Sequence, residues 1–176
     1  MGQKRADFLR REFDADVTWL PFDLHPEYPA TGKPREDWHD RIAPRFEAEG
    51  LAYNPNRDVI PRTLDALRLA ELARDLGRHQ EIHDRLMDAY WDDGVDLTDD
   101  DELRRLGHDL PPDEVERVLS TDAYRDRVHA STAQAQSIGI NGIPGWVIDG
   151  KLLVPGAQPE EVFRMAFAQL SAAASA

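Results

Sequence analysis

The placement of the β-type segments constrains the fold of this chain more than any other feature of its sequence. Residues 17–22 form one run of β-branched and aromatic residues, and residues 146–148 and 152–154 form two more near the C-terminus. The Asp149-Gly150 dipeptide between the last two runs is typical of a two-residue hairpin turn. Pro21 cannot donate to a strand ladder, so the first strand is predicted at a sheet edge or with an irregular end.

Helical periodicity predicts a helix at each end of the chain. Residues 2–13 carry Phe8, Leu9 and Phe13 at spacings that place them on one face. Residues 160–170 form the final predicted helix, with an inward face of Val162, Met165, Ala166 and Leu170.

Amphipathic segments also fill residues 35–137 between the first strand and the hairpin. Trp38, Ile42 and Phe46 recur every four residues and form one apolar stripe. Pro44 lies inside this stripe and predicts a kink or an early end of that helix. The complete order of helix, strand, helical block, hairpin and helix indicates a split α/β core with an all-helical insertion.

Composition limits the chemistry available to the chain. The sequence has no cysteine, which excludes disulfides, cysteine-based zinc sites, iron–sulfur clusters and cysteine nucleophiles within these 176 residues. A net charge of -13 argues against binding to nucleic acids or to an anionic membrane surface. No apolar run approaches the roughly 18 residues of a membrane span, and residues 1–13 lack the apolar region of a signal peptide. We therefore expect a cytoplasmic protein without a membrane partner, and the scarcity of lysine among many alanines favours a bacterial source.

Two polar patterns in the sequence have features of a metal site. His79 and His83 stand four residues apart on a predicted helix, a spacing that can bind a metal, but Glu81 is not placed as in the His-Glu-x-x-His motif. We expect solvated surface histidines there. The acidic residues between Asp92 and Glu102 lack the order of a calcium loop and suit the start of a helix. We therefore expect no metal and no cofactor.

The segment of residues 137–159, Ser-Ile-Gly-Ile-Asn-Gly-Ile-Pro-Gly-Trp-Val-Ile-Asp-Gly-Lys-Leu-Leu-Val-Pro-Gly-Ala-Gln-Pro, resembles the C-terminal signature of DsbA-like thioredoxin-fold proteins. It is most similar to the FrnE-type branch of that family. Residues 18–24 are similar, more weakly, to the family's second strand. The resemblance extends over nearly the whole chain.

This resemblance implies a thioredoxin-like core of residues 1–33 and 138–172, with a helical insertion domain at residues 34–137. It also implies a cis peptide bond between Ile143 and Pro144. Such bonds occur at only about 5–6% of X-Pro positions, so tertiary structure must enforce this one. In the family this loop presents backbone to an extended peptide or thiol ligand, which makes Gly142, Ile143 and Pro144 the expected substrate-binding residues.

The chain departs from the family pattern at its N-terminus. DsbA-like proteins carry Cys-x-x-Cys at the start of the first helix, where the helix N-terminus lowers the pKa of the thiol. Here the sequence begins with residues similar to those that follow the motif, so the motif and the central strand before it are expected to be missing. Either the natural protein starts upstream of Met1, or the sheet is completed by a second copy or a strand-supplying partner.

Three functions are compatible with these features. The chain resembles a DsbA/FrnE-like disulfide oxidoreductase that acts on peptide or protein thiols, although without cysteine it cannot do that chemistry alone. The first alternative is a non-catalytic peptide-binding module that uses the same loop. The second is a glutathione-dependent protein like the 2-hydroxychromene-2-carboxylate isomerases, in which Ser replaces the first Cys. The residue at the missing motif would distinguish the three.

Overall fold

The structure is a computed structural model that describes residues 1–36 and 41–174. In chain order its regular elements are α1 (Gly2–Phe13), β1 (Lys33–Pro34), α2 (Ala43–Ala48), β2 (Val59–Ile60), α3 (Leu64–Asp75), α4 (His79–Asp88), α5 (Asp100–Leu106), α6 (Pro112–Ser120), α7 (Arg125–Ser137), β3 (Gly145–Ile148), β4 (Leu152–Pro155) and α8 (Glu160–Ala174). A single π-helical turn, Ala89–Asp93, follows α4. The chain divides into two compact units. The first unit comprises Met1–Trp19 with Ala135–Ala176, and the second comprises Leu20–Gln134.

The first unit packs α1 and α8 against the β3–β4 hairpin. Its core contains Phe8 and Leu9 from α1, Trp146 and Val154 from the hairpin, and Phe163 from α8. The Phe163 ring meets the Trp146 indole edge-on at 5.5 Å, an arrangement that aromatic pairs prefer. These residues alternate along the strands and recur at helical spacing along the helices. The sequence pattern therefore places one face of each element in a common core.

The hairpin of the first unit is antiparallel, with Trp146 opposite Val154 and Ile148 opposite Leu152. Asp149 and Gly150 both have positive φ, as the predicted turn requires. The connection is nevertheless one residue longer than predicted, because Lys151 is unpaired in the register and donates its backbone N–H to Ile148.

The second unit contains the helices α3 to α6 and the two-residue ribbon β1–β2. Its core is built mainly of leucine and contains the fully buried Leu69, Ile82, Leu103 and Val118, one from each helix. α3 ends where Gly77 adopts a positive φ and donates its N–H to Arg74, as expected of a glycine after a helix.

One predicted element has a different form in the structure. Residues 17–22 were predicted to be a strand, and side chains at 13–20 do alternate between half-buried and exposed positions. However, neither two-stranded sheet in the described part of the chain includes these residues, so this prediction was wrong. The side-chain pattern of a strand is present without the backbone partner that a ladder requires.

The other corrections concern helices. Pro44 neither kinks nor ends a helix, because it lies in the first turn of α2, where its missing N–H would have no partner anyway. Trp38 of the predicted stripe lies outside the described residues. The predicted inward face of α8 was wrong at Met165, which is 59% exposed. Phe163 is fully buried instead, and Phe167 stacks on Phe13 of α1 at 4.0 Å.

Candidate functional site

The predicted substrate-binding residues lie together in the loop between α7 and β3, which we call the 138–144 loop. α7 is closed by Gly139, whose positive φ lets the chain reverse, while Ile138 and Ile140 both donate their N–H groups to Ala135. An added Cβ at Gly139 would come within 3.9 Å of Leu153. The start of the loop therefore lies beside strand β4.

The loop presents an apolar side chain to solvent. Ile143 is 58% exposed, Gly142 is exposed, and Pro144 is half-buried. The Ile143–Pro144 peptide bond is cis. Ile143 forms no backbone hydrogen bond with any described residue, whereas the carbonyl of Pro144 accepts one from Gly156 at 2.7 Å. The hydrogen bond at Pro144 thus holds the end of the loop, and the backbone groups of Ile143 remain available for hydrogen bonds with a ligand.

The loop lies beside the N-terminal end of α1. A Cβ built on Gly2 would lie 3.2 Å from the Trp19 ring and 3.6 Å from Cβ of Pro144. The Trp19 ring is in turn 5.6 Å from the Trp146 ring of β3. The first turn of a helix carries unpaired N–H groups and a positive dipole end, so this is the electropositive end of α1.

Two further residues hold this region together and were not predicted from the sequence. The Arg5 side chain, only 6% exposed, donates from Nε to the carbonyl of Gln158 at 2.6 Å and ties α1 to the segment after β4. A Cβ at Gly145 would approach Cγ2 of Ile140 to 2.7 Å, so any larger residue at the start of β3 would force the Ile140 side chain to shift. Gly145 belongs to the signature segment, but its close approach to Ile140 depends on the folded loop.

The second unit contains an unexpected buried carboxyl group. Asp23 is 2% exposed, and neither carboxylate oxygen has a hydrogen-bond partner among the described residues. Burial raises the pKa of Asp23, against the lowering effect of the nearby Arg62 and His129 charges. The backbone beside it is fixed to α7: Thr132 Oγ1 accepts from the Asp23 N–H at 2.9 Å, and Ser131 Oγ donates to the Pro21 carbonyl at 2.7 Å.

The histidine pair of α4 is less exposed than expected. The His79 and His83 rings lie nearly parallel with centroids 5.7 Å apart, and both are half-buried. The prediction of solvated surface histidines was wrong because positions 79 and 83 flank the buried stripe of Ile82 and Leu86. Burial lowers the pKa of both imidazoles, that of His79 to about 4.

The acidic residues after α4 act as local caps. Asp99 accepts a hydrogen bond from the N–H of Asp101 at the start of α5, and Asp96 accepts from Thr98. Across the described residues, no three His, Asp or Glu side chains form a group that could hold a metal ion. Within residues 1–36 and 41–174, no helix combines the length and apolar character that crossing a membrane requires.

Comparison with known proteins gives a consistent result. The model of the DSBA-like thioredoxin domain matches residues 1–168. The fold is also similar to the crystal structure of a probable DsbA oxidoreductase from Streptomyces coelicolor, with a TM-score of 0.83 and 31% sequence identity over 96% of this chain and 82% of that one. No curated protein matches the sequence significantly.

Proposed function

Because the chain belongs to the DsbA-like thioredoxin-domain family, we propose that its 138–144 loop binds polypeptides that carry a thiol or a disulfide. Gly142, Ile143 and Pro144 would form the contact surface. The division into a thioredoxin-like core and a helical insertion domain at residues 34–137, the FrnE-type affiliation and a cytoplasmic location are parts of the same proposal.

The observation that carries this proposal is the exposed Ile143, whose backbone has no hydrogen-bond partner among the described residues. Its backbone leads directly into β3, which has only β4 as a neighbour in the described part of the chain. An extended peptide could therefore add its main chain to this edge, and main-chain hydrogen bonds of that kind give affinity without demanding one sequence. The exposed Val147, on the same strand, adds an apolar contact for a peptide side chain.

The redox step requires a group that these 176 residues lack. Disulfide exchange proceeds by attack of a thiolate on a disulfide sulfur, and the sequence contains no cysteine. In this proposal the chain supplies substrate binding, and the thiolate comes from outside it. A second copy or a strand-supplying partner is the alternative occupant of the free edge of β3, and it would compete with the peptide for that edge.

The absence of cysteine gives specific support to one alternative, a peptide-binding module with no redox role of its own. The two proposals differ in whether binding depends on sulfur. An oxidoreductase-type site should prefer a peptide with cysteine over the same peptide with serine, and a general peptide-binding module should not. The glutathione-dependent isomerase stays a prediction of the sequence resemblance.

Fluorescence anisotropy with a labelled extended peptide tests the loop. Ile143→Asp places a charge in the apolar contact, and we expect binding at least about tenfold weaker, a loss of about 1.4 kcal/mol. Met165→Asp is the matched control, because Met165 is equally exposed but lies on α8. Equal affinity of both variants, or no binding by the unmodified chain, would contradict the proposed function.

A further inference from the structure

The 138–144 loop contains a second chemically distinctive pair, Asn141 and Gly142, immediately before Ile143. Both residues are exposed and lie outside regular structure. The Asn141 side chain has one hydrogen bond, a long one of 3.3 Å from Nδ2 to the carbonyl of Gly139. The backbone N–H of Gly142 donates to no residue in the described part of the chain.

The backbone nitrogen of Gly142 therefore has no hydrogen-bond acceptor among the described residues, and the preceding residue carries the side-chain amide carbon, Asn141 Cγ, that this nitrogen can attack. The nitrogen of Gly142, once deprotonated, can form a bond to Cγ of Asn141, and the Cγ–Nδ2 bond then breaks and releases ammonia. The product is a five-membered cyclic imide. Water then opens one of the two imide C–N bonds and yields aspartate or isoaspartate, with no change in oxidation state. Glycine favours the cyclisation because it lacks the Cβ that hinders the approach and restricts the backbone.

We propose that Asn141 is a site of spontaneous deamidation, with water as the only co-reactant. Asparagine is a thermolabile residue in general, and the exposed loop around Asn141 favours hydrolysis of its side-chain amide. The reaction converts a neutral side chain to a carboxylate two residues from Ile143. The isoaspartate product also inserts one extra carbon into the main chain before the loop residues Gly142 and Ile143.

The same chain provides two internal controls, because it has only two other asparagines. Asn54 precedes Pro55, which has no N–H to act as the nucleophile. Its side chain is also held, donating to the Asp93 carbonyl and accepting from the Asn56 N–H. Asn56 precedes Arg57, whose N–H already donates to the Pro55 carbonyl at 2.8 Å. Neither should deamidate at a comparable rate.

Mass spectrometry of the complete chain, aged at mildly alkaline pH and digested with trypsin, tests the proposal. Asn141 lies in the peptide of residues 128–151, and the two control asparagines lie together in the peptide of residues 46–57. We expect the amide-to-acid mass change to appear with time in the first peptide only. Fragmentation must place it at Asn141, because Gln134 and Gln136 share that peptide and Asp149-Gly150 can form isoaspartate without a mass change.

The variant Gly142→Ala tests the role of the glycine. An added Cβ there would meet no atom within 4 Å, and φ is not in the left-handed region, so the fold has room for it. We expect its deamidation to be at least about tenfold slower. Retained Asn141 in the aged unmodified chain, or equal rates for the unmodified chain and Gly142→Ala, would overturn the proposal.

A consequence for substrate binding rests on the proposed function and is tested separately. Asn141→Asp reproduces the charge of one product, and we expect it to weaken peptide binding relative to the unmodified chain. If the mass change occurs and Asn141→Asp binds the peptide normally, deamidation stands and its effect on the loop is refuted. If no peptide binds any form of the chain, the proposed function fails while the mass measurement still decides the deamidation.

Discussion

Replacing Arg68 with methionine is expected to destabilise the second unit more than a substitution of an exposed arginine does. Arg68 lies on α3, is 2% exposed, and directs its guanidinium at the end of α6. Its Nε donates to the Ala123 carbonyl at 2.7 Å, and its two terminal nitrogens donate to the carbonyls of Val118 and Thr121 and to the Asp65 carboxylate. One buried side chain thus satisfies three backbone acceptors where α6 ends.

The magnitude follows from what methionine leaves behind. A hydrogen bond to a charged group contributes about 1.5–3 kcal/mol, and a buried acceptor without a partner costs about 1–3 kcal/mol. The desolvation of the guanidinium, which methionine avoids, offsets part of this loss. We expect a net destabilisation of about 3 kcal/mol for Arg68→Met. At this chain length that corresponds to a fall in Tm of about 6–12 °C.

Thermal unfolding followed by far-ultraviolet circular dichroism measures this effect. The control is Arg104→Met, the same substitution at an exposed arginine that pairs with Asp101 and Glu116. Surface ion pairs contribute about 0–1 kcal/mol, so the control should unfold close to the unmodified chain. A Tm for Arg68→Met equal to that of the control would refute the capping role of Arg68.

Three further predictions concern pH and packing. Because burial raises the pKa of Asp23, the folded chain holds a proton there that the unfolded chain loses first, and the resulting stabilisation is lost as pH rises through the folded pKa. Asp23→Asn should therefore gain stability relative to the unmodified chain as pH rises from about 4, and a constant difference in urea unfolding across that range would contradict the raised pKa. The pH dependence of stability that His79 contributes has the opposite sign. Its pKa is lowered to about 4, so this stability is present above about pH 6.5 and is lost as the pH falls towards 4. The variant His79→Gln should lose less stability than the unmodified chain between those pH values, and parallel pH profiles would argue against a half-buried neutral imidazole. Gly145→Ala forces Cβ towards Ile140 and should cost about 1–3 kcal/mol, whereas Gly142→Ala should cost less than 1 kcal/mol; equal unfolding midpoints in urea would show that the start of β3 is not tightly packed.

Helical spacing and turn residues in the sequence correctly predicted the first helix and the hairpin turn. The first helix has the predicted bounds, and the hairpin turn at Asp149 and Gly150 has the predicted positive φ values. The signature of residues 137–159 identified the DsbA-like family, which the match over residues 1–168 confirms. These features are local because turn chemistry and helical spacing are set by residues a few positions apart.

The features that sequence reasoning missed depend on contacts between distant residues. Residues 17–22 have the alternation of a strand, but a ladder requires a neighbouring backbone that alternation cannot specify. The face of α8 is set by Phe163 and Phe167, because two phenylalanine rings find partners on α1 and the hairpin while Met165 remains outside. The burial of Asp23 could not be predicted, since an acidic residue between Phe22 and Leu24 is usually solvent-exposed.

The extended segment before Pro21 has a consequence for hydrogen–deuterium exchange. The side chains of Val17 and Trp19 pack into the core of the first unit, yet the amides of Val17, Thr18 and Leu20 donate no hydrogen bond within the described residues. Protection from exchange follows the hydrogen bond rather than the packing of the side chain. These amides should therefore take up deuterium rapidly, while the β4 amides that donate to β3 stay protected. Slow exchange at residues 17–20 in solution would indicate that another strand has paired with them.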